Sequence, residues 1–196
     1  MPALTYDAVV EIRRQVGIGA TDLETASHAY SLDELAQGVR ETRGLLQAIA
    51  DGWTQEQLLA RPPLHTSDNA AEAGEDRWSA TEAISHLIAT QNWYLLHMGR
   101  LLGRREHFEK MVHGLGDLAE QDISKADLSE GLRAATDLFL ATIASIPADA
   151  DLTQKRSSTF FGDLSLRGWV LLSCVHDVDH LQQIQRVATL PTFPVG

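Results

Sequence analysis

The sequence predicts an all-α fold, a four-helix bundle with an extra amino-terminal helix, on three observations. Helix-start signals recur at bundle-length intervals, the stretches after them carry apolar residues at three- and four-residue spacing, and convincing strand signals are almost absent. Its 196 residues fit one domain (1–196) with a full hydrophobic core, an amino-terminal extension over 1–30 and a loop over 61–77.

Taken in order, Thr5 to Val16 is expected as an extra helix packed outside the main set. Ser31-Leu32-Asp33-Glu34 is a capping box, in which the Ser hydroxyl and the Glu carboxylate satisfy orphan backbone amides. The helix it opens runs to about Asp51-Gly52, with Leu35, Val39, Leu45, Leu46 and Ile49 as its apolar positions. Arg61 to Arg77, containing Pro62-Pro63 and small or acidic residues, is expected as the loop. Ser79-Ala80-Thr81-Glu82 is a second capping box, opening a helix through His86 and Trp93 to about Leu102-Gly103. A third helix spans roughly Leu128 to Ile146, stopped by Pro147. Ser157 to Leu164 is expected as one short hairpin around Gly162-Asp163, and a fourth helix runs from near Ser165 to about Ala188. No internal repeat or low-complexity tract interrupts this series.

A net charge of -11 and few, scattered basic residues argue against a phosphate-backbone partner, so no nucleic acid is expected. The longest apolar runs, such as Trp169 to Leu172, are far too short for a bilayer, and no charged-then-apolar leader opens the sequence. One cysteine, Cys174, gives no internal disulfide framework and suits a reducing compartment, so a cytoplasmic location is expected.

The fourth helix carries the most informative residues. At about 100° per residue, Trp169, Leu172, Ser173, His176, His180, Gln183 and Val187 share one stripe, so two imidazoles and an amide interrupt an apolar face. Four residues apart, His176 and His180 lie one above the other, the geometry by which one helix offers two nitrogens to one metal ion. The opposite face, Val170, Leu171, Cys174, Val178 and Leu181, is apolar too, so both sides must be covered. A central helix is one account. A homodimer contact is the expectation favoured here, with Cys174 a small buried apolar residue.

His176-Asp177-Val178-Asp179-His180 invites comparison with the zinc-peptidase pattern His-Glu-x-x-His. Asp177 is a methylene shorter than the catalytic Glu, and no Asp, Glu or His follows His180 in this sequence. The third ligand is therefore expected upstream. His28, His65, His107 and His113 are most simply surface residues. His86 is the strongest candidate, mid-helix among Ile84, Leu87 and Ile88, and His97 is a weaker neighbour.

Two stretches together, Trp78-Ser79-Ala80-Thr81-Glu82-Ala83-Ile84-Ser85-His86-Leu87 and His176-Asp177-Val178-Asp179-His180-Leu181-Gln182-Gln183-Ile184, resemble the DinB/YfiT-like superfamily. The resemblance covers about Ser31 to Val187. It implies a four-helix bundle, often homodimeric, with a divalent metal held by three histidines, which map onto His86, His176 and His180. It also implies the activities of characterised relatives: S-transfer with a low-molecular-weight thiol such as bacillithiol or mycothiol, maleylpyruvate isomerisation, and metal-dependent hydrolysis. The 61–77 loop and the amino-terminal extension depart from a minimal member.

Three neutral imidazoles on a divalent ion leave positions for water, thiol or substrate, and zinc or nickel suit such a donor set. Asp179 at the stripe's edge, or Asp177 about 100° away, are candidates to orient an imidazole through its other N–H. For Asp177 a solvated helix-surface position is the default. Gln183 is expected to bind substrate, position water or cap a neighbouring helix, and Thr90, Trp93 and Trp169 to line a pocket or the core. Two classes of function follow. One is a metal-dependent enzyme, a thiol-dependent S-transferase or a hydrolase acting on a small molecule. The other is a non-catalytic metal-binding or stress-related bundle.

Overall fold

The computed structural model describes residues 3–63, 74, 77–104 and 123–195. Among them the order is α1 (Tyr6–Gly17), α2 (Leu23–Ser27), α3 (Leu32–Gly52), α4 (Gln55–Leu59), α5 (Ala80–Leu101), α6 (Lys125–Ala144), β1 (Arg156–Ser158), β2 (Gly162–Leu164) and α7 (Leu166–Ala188). Both expected capping boxes form, at Ser31/Glu34 and Ser79/Glu82. Thr54 and Gln57 make a third, opening α4. This helix and α2 went unread in the sequence because a single turn is too short to show a period. The third bundle helix starts nearly a turn before Leu128, where the Ser124 hydroxyl caps the amide of Asp127. The expected 61–77 loop lies largely outside the described residues.

The bundle is a four-membered ring. α3 packs on α6 and α7, and α5 packs on the same two, so α3 and α5 stand diagonally across the core. The interior divides into two apolar clusters stacked along the bundle axis. One gathers Leu35, Val39, Leu95, Met98, Phe139 and Trp169, and the other Leu46, Ile84, Leu87, Leu128, Leu132 and Ile184. On each helix the change from one cluster to the other occurs at mid-length. There α3 contributes Thr42 and Arg43, α5 Thr90 and Gln91, and α7 His176, Asp177 and His180. A polar layer thus crosses the middle of an otherwise apolar core. Burying so many polar groups is costly unless they are paired, so their partners define the site described below.

The second apolar face of α7 is covered from within the chain. α1 and α2 pack on α7, and Leu4, fully buried, reaches the notch between α3 and α7. Gly38 makes that approach possible: a Cβ there would lie 2.6 Å from Leu4 Cδ2 and 3.3 Å from Cys174 Sγ. Val170, Leu171, Cys174, Val178 and Leu181 are accordingly all buried in a single copy. This bears on the argument for a homodimer and leaves the homodimer itself untested. The face does need a cover, but the amino-terminal segment supplies it, so no second copy is required there. Cys174 is the small buried apolar residue expected, and burial pushes its thiol well above the ordinary value. No helix among the described residues is long and apolar enough to cross a membrane.

Candidate metal centre

His176 and His180 project from successive turns of α7, and His86 faces them from the second turn of the adjacent α5. His180 Nε2 lies 3.1 Å from His176 Nε2, which lies 3.3 Å from His86 Nε2. All three ligand nitrogens fall within 4.8 Å of one another. Two nitrogens each about 2.1 Å from a shared ion would sit roughly 3.0 Å apart at a right angle and roughly 3.4 Å apart at the tetrahedral angle. Both of these separations fall between those values, so the three imidazoles form a group that could hold one divalent cation.

The surrounding residues hold the rings in the orientation a ligand needs. Gln183 Oε1 is 2.8 Å from His180 Nδ1. A carbonyl oxygen only accepts, so Nδ1 carries the proton and Nε2 presents its lone pair to the cluster. Tyr94 Oη lies 2.9 Å from His176 Nδ1 and holds that ring in place, as donor or as acceptor according to the tautomer. Burial pushes the Tyr94 phenol up, so it stays a neutral hydroxyl. Thr90 Oγ1 is 3.2 Å from His86 Nε2. The Trp78 indole caps the group, stacked on His180 at 5.7 Å and tilted against His86 at 4.8 Å. Burial, reinforced by His180, His86 and Arg43, lowers the His176 pKa to about 3. The imidazole is therefore neutral at physiological pH, the form that ligates metal.

Two aspartates singled out in the sequence take different places. Asp177 is not a solvated surface carboxylate. It is fully buried and turned away from the imidazoles toward α3, where Thr42 Oγ1 and Arg43 Nε each donate to its Oδ2 at 2.8 Å. Its other oxygen has no hydrogen-bond partner, so it orients no imidazole either. One residue on from His176 means a rotation of about 100°, which carries it out of the ligand stripe. Burial pushes its carboxyl above the ordinary value, with Arg43 and Thr42 pulling against that shift. Asp179 pairs with Arg13 of α1 rather than with an imidazole, and this ties the amino-terminal extension to the edge of the site.

His97, the alternative third ligand, is outside the cluster. It is buried between Trp169, stacked at 4.3 Å, and the edge of Trp93 at 4.4 Å, and burial lowers its pKa to about 4. His28, expected at the surface, is exposed and pairs with Glu24. His65, His107 and His113 lie outside the described residues.

Beside the cluster opens a cavity of about 670 Å³, with His86 and His176 in its wall. Thr90, Trp93 and Asp179 line it as well, so these residues do face a common space. The sequence reading missed its third side, the tip of the β1–β2 hairpin with Phe160 and Phe161, and it missed Tyr94 and Arg43. Two adjacent aromatics in the turn of an expected hairpin are a signal that could have found the first. Tyr94, eight residues after His86 on the same helix, lies about 80° around from it and is open to a periodicity argument.

The sequence model of the DinB superfamily matches residues 39–184, well over half of the chain and spanning all three histidines. The chain belongs to that superfamily. No curated protein and no solved structure matches it.

Proposed function

We propose that this DinB-superfamily chain is a metal-dependent enzyme acting on a small molecule, with His86, His176 and His180 holding one divalent ion through their Nε2 atoms. The observation that carries the reading is that two of the three ligand imidazoles form part of the cavity wall. An ion held by them would be reached from the cavity, whereas a purely structural site is closed on all sides. When bound, such an ion lowers the pKa of a coordinated water or thiol and so supplies a nucleophile at neutral pH. Zinc and nickel both suit imidazole donors.

The chain's own groups do the remaining work. Gln183 and Tyr94 fix the two α7 imidazoles, Trp78 and the apolar clusters exclude water behind them, and Thr90 offers a hydroxyl beside His86. Asp179 is the carboxylate in the cavity wall, already engaged by Arg13. A bound water and a bound thiol are both ionised before attack, so the site suits thiol-dependent S-transfer or hydrolysis, and a small-molecule thiol would enter through the same cavity.

Elemental analysis of the purified protein tests the metal assignment. About one divalent ion per chain is expected for the wild type, with loss in His86→Ala and in His180→Ala. Equal metal content in all three would refute it. A screen of thiols against electrophiles with metal-loaded protein then tests the chemistry.

A further inference from the structure

The cavity has three sides of different character. α5 presents Thr90, Trp93 and Tyr94, and α7 presents Leu172, Val175 and Asp179 beside His176. The third side comes from the hairpin, which adds Phe160 and Phe161 from its tip.

That tip is built rather than incidental. Ser158 pairs with Gly162 across the ladder, so Thr159, Phe160 and Phe161 form a three-residue loop. Gly162 takes the positive φ of 72° that such a loop asks of its closing residue. Ser158 Oγ accepts from the amides of Phe160 and Phe161, at 3.3 and 3.0 Å, and fixes the direction of both.

The tip nevertheless leaves large apolar surface in water. Phe160 is 86% exposed and Phe161 39%, and Trp93 across the cavity is 38% exposed. Three exposed aromatics around one cavity form a patch of the kind that marks a binding surface. Charge points the same way. Among the described lining residues the one ionised side chain is Asp179, already paired with Arg13, and no lysine or arginine lines the cavity. Apart from the ion proposed at the histidines, an anionic ligand body would meet apolar walls and an already paired carboxylate, with no unpaired cation among the described lining residues to offset its desolvation.

We propose that Phe160 and Phe161 of the hairpin tip, facing Trp93 across the cavity, determine specificity and select a substrate whose body is uncharged and aromatic. The direction of its reacting group, toward His86 and His176, rests on the metal-dependent reading above. The affinity for the body does not depend on it.

Fluorescence titration of the full-length protein with N-phenyl-1-naphthylamine, an uncharged aromatic probe, tests the proposal. Saturable binding of one probe per chain is expected. The Phe160→Ser/Phe161→Ser variant is expected to bind at least about tenfold more weakly, about 1.4 kcal/mol. Phe160→Tyr/Phe161→Tyr keeps the rings and is expected to bind within about threefold of wild type, which separates loss of ring contact from disturbance of the hairpin. The anionic probe 1-anilinonaphthalene-8-sulfonate is expected to bind at least about tenfold more weakly than its uncharged counterpart. Equal affinity of the Ser variant and wild type overturns the role of the tip, and equal or tighter binding of the sulfonate overturns the charge selection. The His86→Ala protein is titrated in parallel. Retained probe binding there, with no metal in the wild type, removes the metal reading and leaves this inference standing. Full metal content with no effect of the Ser variant does the reverse.

Discussion

The buried Arg43–Asp177 pair gives the sharpest prediction about how the polar layer is held. Arg43 is 2% exposed and Asp177 0%, and Arg43 Nε and Thr42 Oγ1 both donate to one carboxylate oxygen. Arg43→Met keeps the volume of the stem but leaves a carboxylate buried with a single hydroxyl. Removing one partner of a buried pair costs about 3–5 kcal/mol, against a total stability of about 5–15 kcal/mol for a domain. The Arg13–Asp179 pair is a built-in control, because both of its side chains are more than a third exposed. Arg13→Met should cost no more than about 1 kcal/mol.

Urea denaturation at neutral pH, read as a midpoint shift at constant slope, distinguishes the two. The Arg43→Met/Asp177→Leu double variant should recover most of the loss, since it removes the stranded charge along with its partner. The pH dependence has a definite sign. Without its guanidinium, Asp177 has a folded-state pKa raised further above its unfolded value. The deficit of Arg43→Met is then smallest in acid, where the carboxyl is protonated, and grows as pH rises through that folded value. A loss below about 1 kcal/mol, indistinguishable from that of Arg13→Met, would refute the reasoning.

Three further outcomes are expected. Gln183→Leu removes the acceptor that fixes the His180 proton, and metal affinity measured by chelator competition should fall about 10–100-fold; unchanged affinity would show that the ring is oriented without it. Burial holds the His97 pKa at about 4, below its unfolded value, so the unfolded chain takes up a proton first as pH falls. Metal-free wild type should therefore lose stability between roughly pH 6.5 and 4 more steeply than His97→Phe does, and parallel denaturation midpoints across that window would contradict this. Finally, Leu4→Asp places a charge where Leu4 is fully buried against α3 and should lift the amino-terminal segment from α7. Cys174, fully buried and expected to be inert toward a thiol reagent in the native wild type, should then react, and continued protection would mean that something other than this segment covers it.

What the sequence disclosed and what it withheld divide by the range of the interaction. Capping boxes, helical periodicity and the four-residue spacing of His176 and His180 are settled within a turn or two of chain, and each of them appears in the structure as expected. The His86 placement adds one longer step, supported by a mid-helix imidazole on an apolar stripe. Asp177 fails on the same logic, because the partner that explains it, Arg43, lies 134 residues earlier and nothing local to α7 announces a buried cation. The second apolar face of α7 fails differently. An apolar pattern states that a surface must be covered, and a second copy or the chain's own first helices would satisfy it equally. Arg13 shows that here the cover also reaches function, since the segment that hides Cys174 delivers the cation that occupies Asp179 at the cavity. The amino-terminal extension, outside the stretch matched to the superfamily, is thereby part of the site's wall chemistry. If Arg13 left, Asp179 would stand as an unpaired carboxylate in that wall. The cavity would then repel anions more strongly.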